Sequence, residues 1–307
     1  MKNLFSLYII ILMPSLMFAQ QDPLVSQYMF NGLYLNPAYA GSHDFYNITS
    51  LCRKQWVNID GAPATQLLSM DGPLKNRNVG LGLLLSNDKI GVSKQTDFYG
   101  NYAYHINLGK ETKLAFGLRA GGSYYRAKLT ELTVWDGGDN VFSQDVNGQF
   151  LPNFGTGLYL HSAKMFVGLS APHLLNYKPR TTFYIDKTNS PQLIRHYYLN
   201  AGYVFDGNQN VIFKPSILVK YLANAPVQAD FNLNVLFHKL IWIGGSYRTK
   251  DSFVGILEIQ ASKKLRIGYA YDHPINNLKK YTNGSHEIML AYDFGYDILK
   301  IKTPRYF

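Results

Sequence analysis

The sequence predicts an all-β fold: a transmembrane antiparallel β-barrel of about 14 strands carrying an N-terminal plug segment. Three observations lead there. The composition is poor in charge and rich in Tyr, Phe and Gly. Apolar and polar residues alternate with a period of two in segment after segment. Tight and long connections take turns along the chain.

Of the 307 residues, 47% are hydrophobic, enough for a core, and only 16% are charged. Ordinary soluble domains carry about a quarter. The chain has 24 Tyr and 18 Phe but 3 Trp, together with 26 Gly. These proportions suit an outer face that does not meet water. The formal net charge is +10, yet Lys and Arg are dispersed, and the densest groups are the pairs Lys263-Lys264 and Lys279-Lys280. Such a distribution fits an anionic membrane surface or an acidic partner, not nucleic acid.

Residues 1–19 have the form of a signal peptide. Lys2 supplies the positive start, the following residues to Met17 are mostly apolar, and Met17-Phe18-Ala19 offers a cleavage point before Gln20. The run is too short for a membrane-spanning helix, and no later stretch is long enough. Cys52 is the single cysteine, so no internal disulfide forms, and it lies far from the cleavage point, so it is not acylated there.

Residues 20–42 are expected to be an N-terminal plug or periplasmic segment. A barrel this wide cannot be filled by its own wall side chains. The segment 22–41 carries turn formers and aromatics without a repeat, immediately before the first strand.

Strands are expected over 43–51, 65–72, 79–87, 96–107, 112–126, 153–160, 165–171, 195–206, 210–221, 228–238, 240–248, 252–260, 265–271 and 285–294. In 96–107, Phe98, Gly100, Tyr102, Tyr104 and Ile106 share one face, and Asp97, Tyr99, Asn101 and His105 the other. In 265–271, Leu265, Ile267, Tyr269 and Tyr271 alternate with Arg266, Gly268 and Ala270. The last strand presents Ile288, Leu290, Tyr292 and Phe294 outward, as closure of the barrel requires. The tight connections are 108–111, 161–164, 206–209, 238–239 and 262–264, and the long ones are 52–64, 127–152, 172–194 and 272–284. With the mature N-terminus in the periplasm, the tight turns face the periplasm and the long loops the outside. A soluble sandwich has no reason to sort loop lengths in this way. The barrel thus covers 43–294, and a basic periplasmic tail with Lys300, Lys302 and Arg305 covers 295–307.

The run Asp22-Pro23-Leu24-Val25-Ser26-Gln27-Tyr28-Met29-Phe30-Asn31, followed by Leu35-Asn36-Pro37-Ala38-Tyr39-Ala40-Gly41, resembles the N-terminal signature of the PorP/SprF family. Further matches are Arg53-Lys54-Gln55-Trp56 with Gly61-Ala62-Pro63, Gly80-Leu81-Gly82 through Asn87-Asp88, Gly91, Tyr271-Asp272, and Gly284-Ser285-His286-Glu287 through Asp293-Phe294. The resemblance covers nearly the whole mature chain. It implies an outer-membrane protein of the type IX secretion and gliding apparatus of Bacteroidota. The implied partners are a secreted adhesin-like protein, held through its C-terminal domain, and components of that apparatus, among them a periplasmic peptidoglycan-binding protein. The membrane location adds outer-membrane lipid and lipopolysaccharide.

Catalytic motifs are not visible. There is no GxSxG or HExxH, and the eight His are scattered without ligand spacing. No catalysis, cofactor or metal is expected. Asp136-Gly137-Gly138-Asp139-Asn140 has the composition of a solvated turn, with a Ca²⁺ loop as the alternative. The residues expected to form the plug or meet a partner are Gln27, Tyr28, Phe30, Asn36, Pro37, Ala38, Trp56 and Trp135. The two Trp lie in expected outer loops, as interfacial anchors or partner hot spots. Asn36-Pro37-Ala38 is turn chemistry, or else a gate or docking element. Two functions compete: a scaffold that captures a secreted protein, and a transporter for small hydrophobic molecules similar to the FadL family, whose N-terminal hatch also carries an Asn-Pro-Ala element.

Overall fold

The computed structural model describes residues 23, 25–75, 77–109, 111–132, 144–175, 195–208, 210–223 and 225–295. Its strands are β1 (Tyr46–Lys54), β2 (Ala64–Pro73), β3 (Val79–Ile90), β4 (Ser93–Asn107), β5 (Lys113–Ala127), β6 (Val146–His161), β7 (Met165–Ala171), β8 (His196–Tyr203), β9 (Phe205–Asn208), β10 (Val211–Leu222), β11 (Gln228–Phe237), β12 (Ile241–Arg248), β13 (Ser252–Gln260), β14 (Leu265–Pro274) and β15 (Ser285–Phe294). β8 and β9 pair with successive parts of β10, so they occupy one position, interrupted at the buried Val204. The result is a closed antiparallel barrel of 14 positions. β15 closes it on β1, from Tyr46↔Phe294 to Lys54↔His286. Closure is obligatory because unpaired backbone groups find no water in lipid.

Side-chain parity follows the period-two pattern. On β4, Phe98, Tyr102, Tyr104 and Ile106 are exposed, whereas Asp97, Tyr99, Asn101 and His105 are buried. On β15, Ile288, Leu290 and Tyr292 point out, and Glu287, Met289, Ala291 and Asp293 point in. The barrel is therefore inside out relative to a soluble protein: its apolar face is exposed and most of its buried charges line the lumen.

The expected strands are all present, but several ends shift by about three residues, as in β3 (to Ile90, not 87), β4 (from Ser93, not 96) and β14 (to Pro274, not 271). The expected strand 195–206 is split at Val204, so that β9 takes up most of the expected turn 206–209. Two starts have a clear physical cause. β6 begins at Val146 instead of 153, because it continues to pair with the outer arm of β5, as in Tyr124↔Phe150. Its first turn hides this: Gly148 has φ of 55°, and the register shifts between Tyr125 and Ala127. β1 begins at Tyr46 instead of 43. His43 stacks on Phe45 at 4.9 Å and shares a 2.9 Å hydrogen bond with the Tyr39 hydroxyl, which turns the chain out of the lumen before the strand starts.

The strand ends that flank 55–63, 128–145, 172–195 and 275–284 lie at one end of the barrel, and those that flank 74–78, 108–112, 162–164, 238–240 and 261–264 at the other. Gly91-Val92, between β3 and β4, is a tight turn at the long-loop end.

The segment 25–41 lies inside the barrel. It forms a 3-10 turn at Tyr28–Phe30, one α-helical turn at Gly32–Leu35 and a second 3-10 turn at Pro37–Tyr39. Its direction is opposite to a simple entry from the periplasm. Pro23 sits beside Leu222, Ala225 and Pro226 at the long-loop end, and Gly41 beside Gly72, Pro73 and Gly80 at the short-turn end. The chain thus descends the whole lumen before starting β1.

A charge on the lipid-facing wall tests this orientation. Leu83→Arg, in the middle of the exposed apolar face of β3, is expected to destabilise the barrel by about 2–4 kcal/mol. Urea titration of folding into liposomes measures it, and a neutral result would place Leu83 off the lipid face.

Candidate functional site: a clamped plug in the lumen

The plug has few backbone hydrogen bonds of its own, so its polar groups must be satisfied by the wall. The strongest attachment is at the long-loop end. Glu287 accepts from the backbone N–H groups of Ser26 (2.8 Å) and Gln27 (2.7 Å). The Ser26 hydroxyl donates to Asp272 at 2.8 Å and accepts from Arg53 at 3.0 Å. Arg53 in turn bridges Asp272 (2.7 Å) and Glu287 (3.1 Å). Arg248 joins Asp272 and Asp230, each at 3.2 Å, and Lys220 completes the group on Asp230 at 3.2 Å. Arg53, Arg248 and Lys220 face Asp230, Asp272 and Glu287, all six of them buried, and the partly exposed Asp251 also reaches Arg248 at 3.4 Å. A buried charge without a partner is very costly, so the six groups and the plug hold one another in place.

Further along, wall side chains take up the plug carbonyls. Arg119 donates to Leu33 O (2.6 Å) and Tyr34 O (3.4 Å), Ser170 to Leu35 O (2.7 Å), and Lys214 to Met29 O (3.3 Å). His105 Nε2 lies 2.9 Å from Ala40 O, and Gly41 N–H donates to Asp71 at 2.9 Å. These partners come from strands all around the barrel.

Wall glycines let the backbone come this close. A methyl group at Gly80 would sit 1.9 Å from Ala40 O, and one at Gly117 would sit 2.1 Å from Ala38 N. Gly268 is covered by Gln27, and Gly157 by Asn36.

The structure brings six of the sequence-selected residues together in the lumen. Gln27 is fully buried and its side-chain amide also donates to Glu287, at 3.2 Å. Tyr28 O–H accepts from Asn232 at 2.8 Å. Phe30 packs on Trp242 at 6.0 Å, with the Lys214 ammonium 5.0 Å from its ring centroid. Asn36 combines two functions. Its Oδ1 accepts from Ala38 N at 2.9 Å and caps the 3-10 turn that Pro37 begins, while its Nδ2 donates to Leu158 O at 2.8 Å in the wall. Pro37 and Ala38 are buried within that turn.

Trp56 is elsewhere. It is half-buried at the long-loop end with φ of 43°, and its N–H donates to Ser285 Oγ at 3.2 Å. Next to it, Val57 N–H donates to Gly284 O (2.9 Å), and Asn283 N–H and the Thr282 hydroxyl donate to Val57 O. Connections 55–63 and 275–284 are thereby stitched into one platform, from which Tyr281 projects with 70% of its surface exposed. Trp135, the 136–140 turn, the signal peptide and the tail from 296 lie outside the described residues.

Arg53, Arg119, Arg248, Asp230, Asp272 and Glu287 were not selected as site residues from sequence. Their signal is a charge at a lumen-facing parity position, visible once the outward face of each strand is known. Their mutual pairing crosses up to 234 residues of chain and has no local signature.

The sequence profile described as type IX secretion system membrane protein PorP/SprF matches residues 17–292. No curated protein matches the sequence. Among solved structures, the CymD monoaromatic hydrocarbon channel is similar with a TM-score of 0.53 at 10% identity, covering 89% of this chain and 93% of that one. The Ralstonia pickettii toluene transporter TbuX is similar with a TM-score of 0.52 at 9% identity, covering 89% and 94%. At these identities the likeness concerns the barrel fold alone. The barrel and the profile together place the chain in the outer membrane.

Removing one member of the clamp tests its role. Arg53→Met leaves Glu287 without its cation, takes one of two cations from Asp272, and is expected to cost about 3–5 kcal/mol. It should expose the segment around Ser26 to protease while the barrel keeps its heat-modifiable mobility on gels. A variant that melts and resists protease like the parent would show that the plug is held by something else.

Proposed function

The chain belongs to the PorP/SprF family of type IX secretion system membrane proteins, and on that premise we propose that it is a non-enzymatic outer-membrane scaffold. In this reading the barrel holds a secreted adhesin-like protein at the cell surface through its C-terminal domain. It couples that protein to components of the secretion and gliding apparatus, including a periplasmic peptidoglycan-binding protein.

The observation that carries the reading is the clamped plug. A lumen occupied along its length by 25–41, with both backbone amides of Ser26-Gln27 fixed on Glu287, is built to stay filled. A filled barrel offers its loops to a partner, and the stitched platform of 55–63 and 275–284 gives a rigid one. Trp56 and Tyr281 supply the aromatic surface typical of interaction hot spots.

A second reading, a FadL-like transporter for small hydrophobic molecules, is favoured by one feature. A cleft between plug and wall at the outer mouth is lined by Val25, Tyr28, Leu35, Tyr198, Leu218 and Leu222.

Gentle detergent purification from the native host through a tag on the C-terminal tail, followed by mass spectrometry, separates the two. The scaffold reading expects a large secreted surface protein or type IX components to co-purify. Tyr281→Ala should lower that recovery by about tenfold. A barrel that emerges alone with a bound fatty acid or other small apolar molecule would replace the scaffold with the transporter.

A further inference from the structure

The antiparallel register assembles a row of cations on the lipid-facing side of β1–β5, at their outer ends. Lys54 on β1 is opposite Ala64 on β2, Ala64 is opposite Lys89 on β3, Lys89 is opposite Lys94 on β4, and Lys94 is opposite Arg126 on β5. All four basic residues have outward parity: Lys54 follows the buried Arg53, Lys89 follows the buried Asp88, Lys94 shares the face of Phe98, and Arg126 shares that of Tyr124. Four inter-strand steps span about 19 Å.

Below the row the surface is zoned. One step inward lie Gln66, Asn87, Thr96 and Tyr124, paired in sequence across β2–β5. One step further lie Leu68, Leu85 and Phe98, where the apolar band begins. Each step is about 6.8 Å along a strand, and a tilt of about 40° leaves each cation about 10 Å above the apolar band on its own stretch of wall, the row itself climbing about 12 Å from end to end. That is headgroup depth, within reach of long side chains that lay their methylenes along the wall.

Like charges placed directly opposite one another repel, and the row has two such pairs, Lys89↔Lys94 and Lys94↔Arg126. Among the described residues none of the four is in an ion pair. Three carboxylates on or beside these strands are engaged elsewhere, Asp88 with Thr65, Asp97 with Ser86 and Glu131 with Lys128, and Asp60, in the connection bonded to the β3–β4 turn, forms no ion pair with the row. The cross-strand row is confined to one side; opposite it, Arg195 stands alone on the outward face and is bound to Leu174 O and Tyr197. At the outer ends of β8, β10, β12 and β13 the lipid-facing pairs are Tyr197↔Tyr221 and Tyr247↔Phe253.

An anion from outside the protein is the missing counter-charge, and at this depth on a lipid-facing wall it comes from a lipid. We propose that Lys54, Lys89, Lys94 and Arg126 form a binding row for the phosphate groups of an outer-leaflet glycolipid such as lipopolysaccharide. Arg126 can take a phosphate through two parallel N–H donors, and the lysines act as point charges. The bound lipid would fix one face of the barrel in the leaflet and orient the platform above it.

Native mass spectrometry of the delipidated full-length protein, titrated with bis-phosphorylated lipid A or its dephosphorylated form, tests this. The wild type is expected to prefer the phosphorylated lipid by about tenfold or more, since each cation near an anionic surface contributes separately. Replacing all four, Lys54→Gln, Lys89→Gln, Lys94→Gln and Arg126→Gln, should abolish the preference, and Lys279→Gln with Lys280→Gln on the platform should keep it. Should the fourfold variant not show heat-modifiable folding, the Lys89→Gln, Lys94→Gln pair takes its place. Equal retention of the two lipids by the wild type, or a preference that survives in the folded variant, would overturn the proposal. Loss of a co-purifying protein with lipid preference intact would overturn it too, assigning the row to a protein surface instead.

Discussion

A closed barrel of 14 positions encloses more space than inward side chains can fill, and that excess volume governs the rest of the molecule. Lipid forces closure, closure creates the lumen, and the lumen must then hold water or protein. This chain fills it with its own residues 25–41. Because that segment is too short and irregular to satisfy its own backbone, the wall supplies donors and acceptors. The wall is therefore charged on its buried face, the reverse of a soluble core. Arg119 under two plug carbonyls and Glu287 under two plug amides are the direct outcome.

The charges are arranged for specificity more than for net stability. Buried ion pairs commonly return little beyond their desolvation cost, yet losing one member is severe. Docked Ser26 completes this group, giving Glu287 and Asp272 hydrogen-bond donors and Arg53 an acceptor in addition to their ion pairs. Glycines at Gly80 and Gly117 act in the same direction, admitting the plug backbone at distances no other residue allows. Rigidity inside the lumen leaves the loops as the surface through which an outer-membrane protein of this family can meet its partners.

Much of the fold was legible in the sequence. Alternation located the strands because the middle of each strand's outward face is apolar, and loop parity oriented them. The start of β6 was not legible within the long connection 127–152, because Gly148, with a positive φ, sits inside the paired strand. The site was legible only in part. Gln27, Tyr28, Phe30 and Asn36 stood out as a non-repeating polar and aromatic run. The run's direction through the lumen did not, because a segment of single turns has no periodicity to orient it. Its wall partners lie far off in sequence, with Asp272 246 residues from Ser26, and only the closed register brings them together. Lys54 and Lys89 looked like scattered basic residues for the same reason.

The central claim is that the lumen is closed by the chain's own N-terminal segment. Planar-bilayer recording of the purified full-length protein tests it most directly, with a variant lacking residues 23–41 as the reference for an empty barrel. The account predicts little steady current from the full chain and open-pore conductance from the variant. Sustained open-pore conductance from the full chain would contradict it.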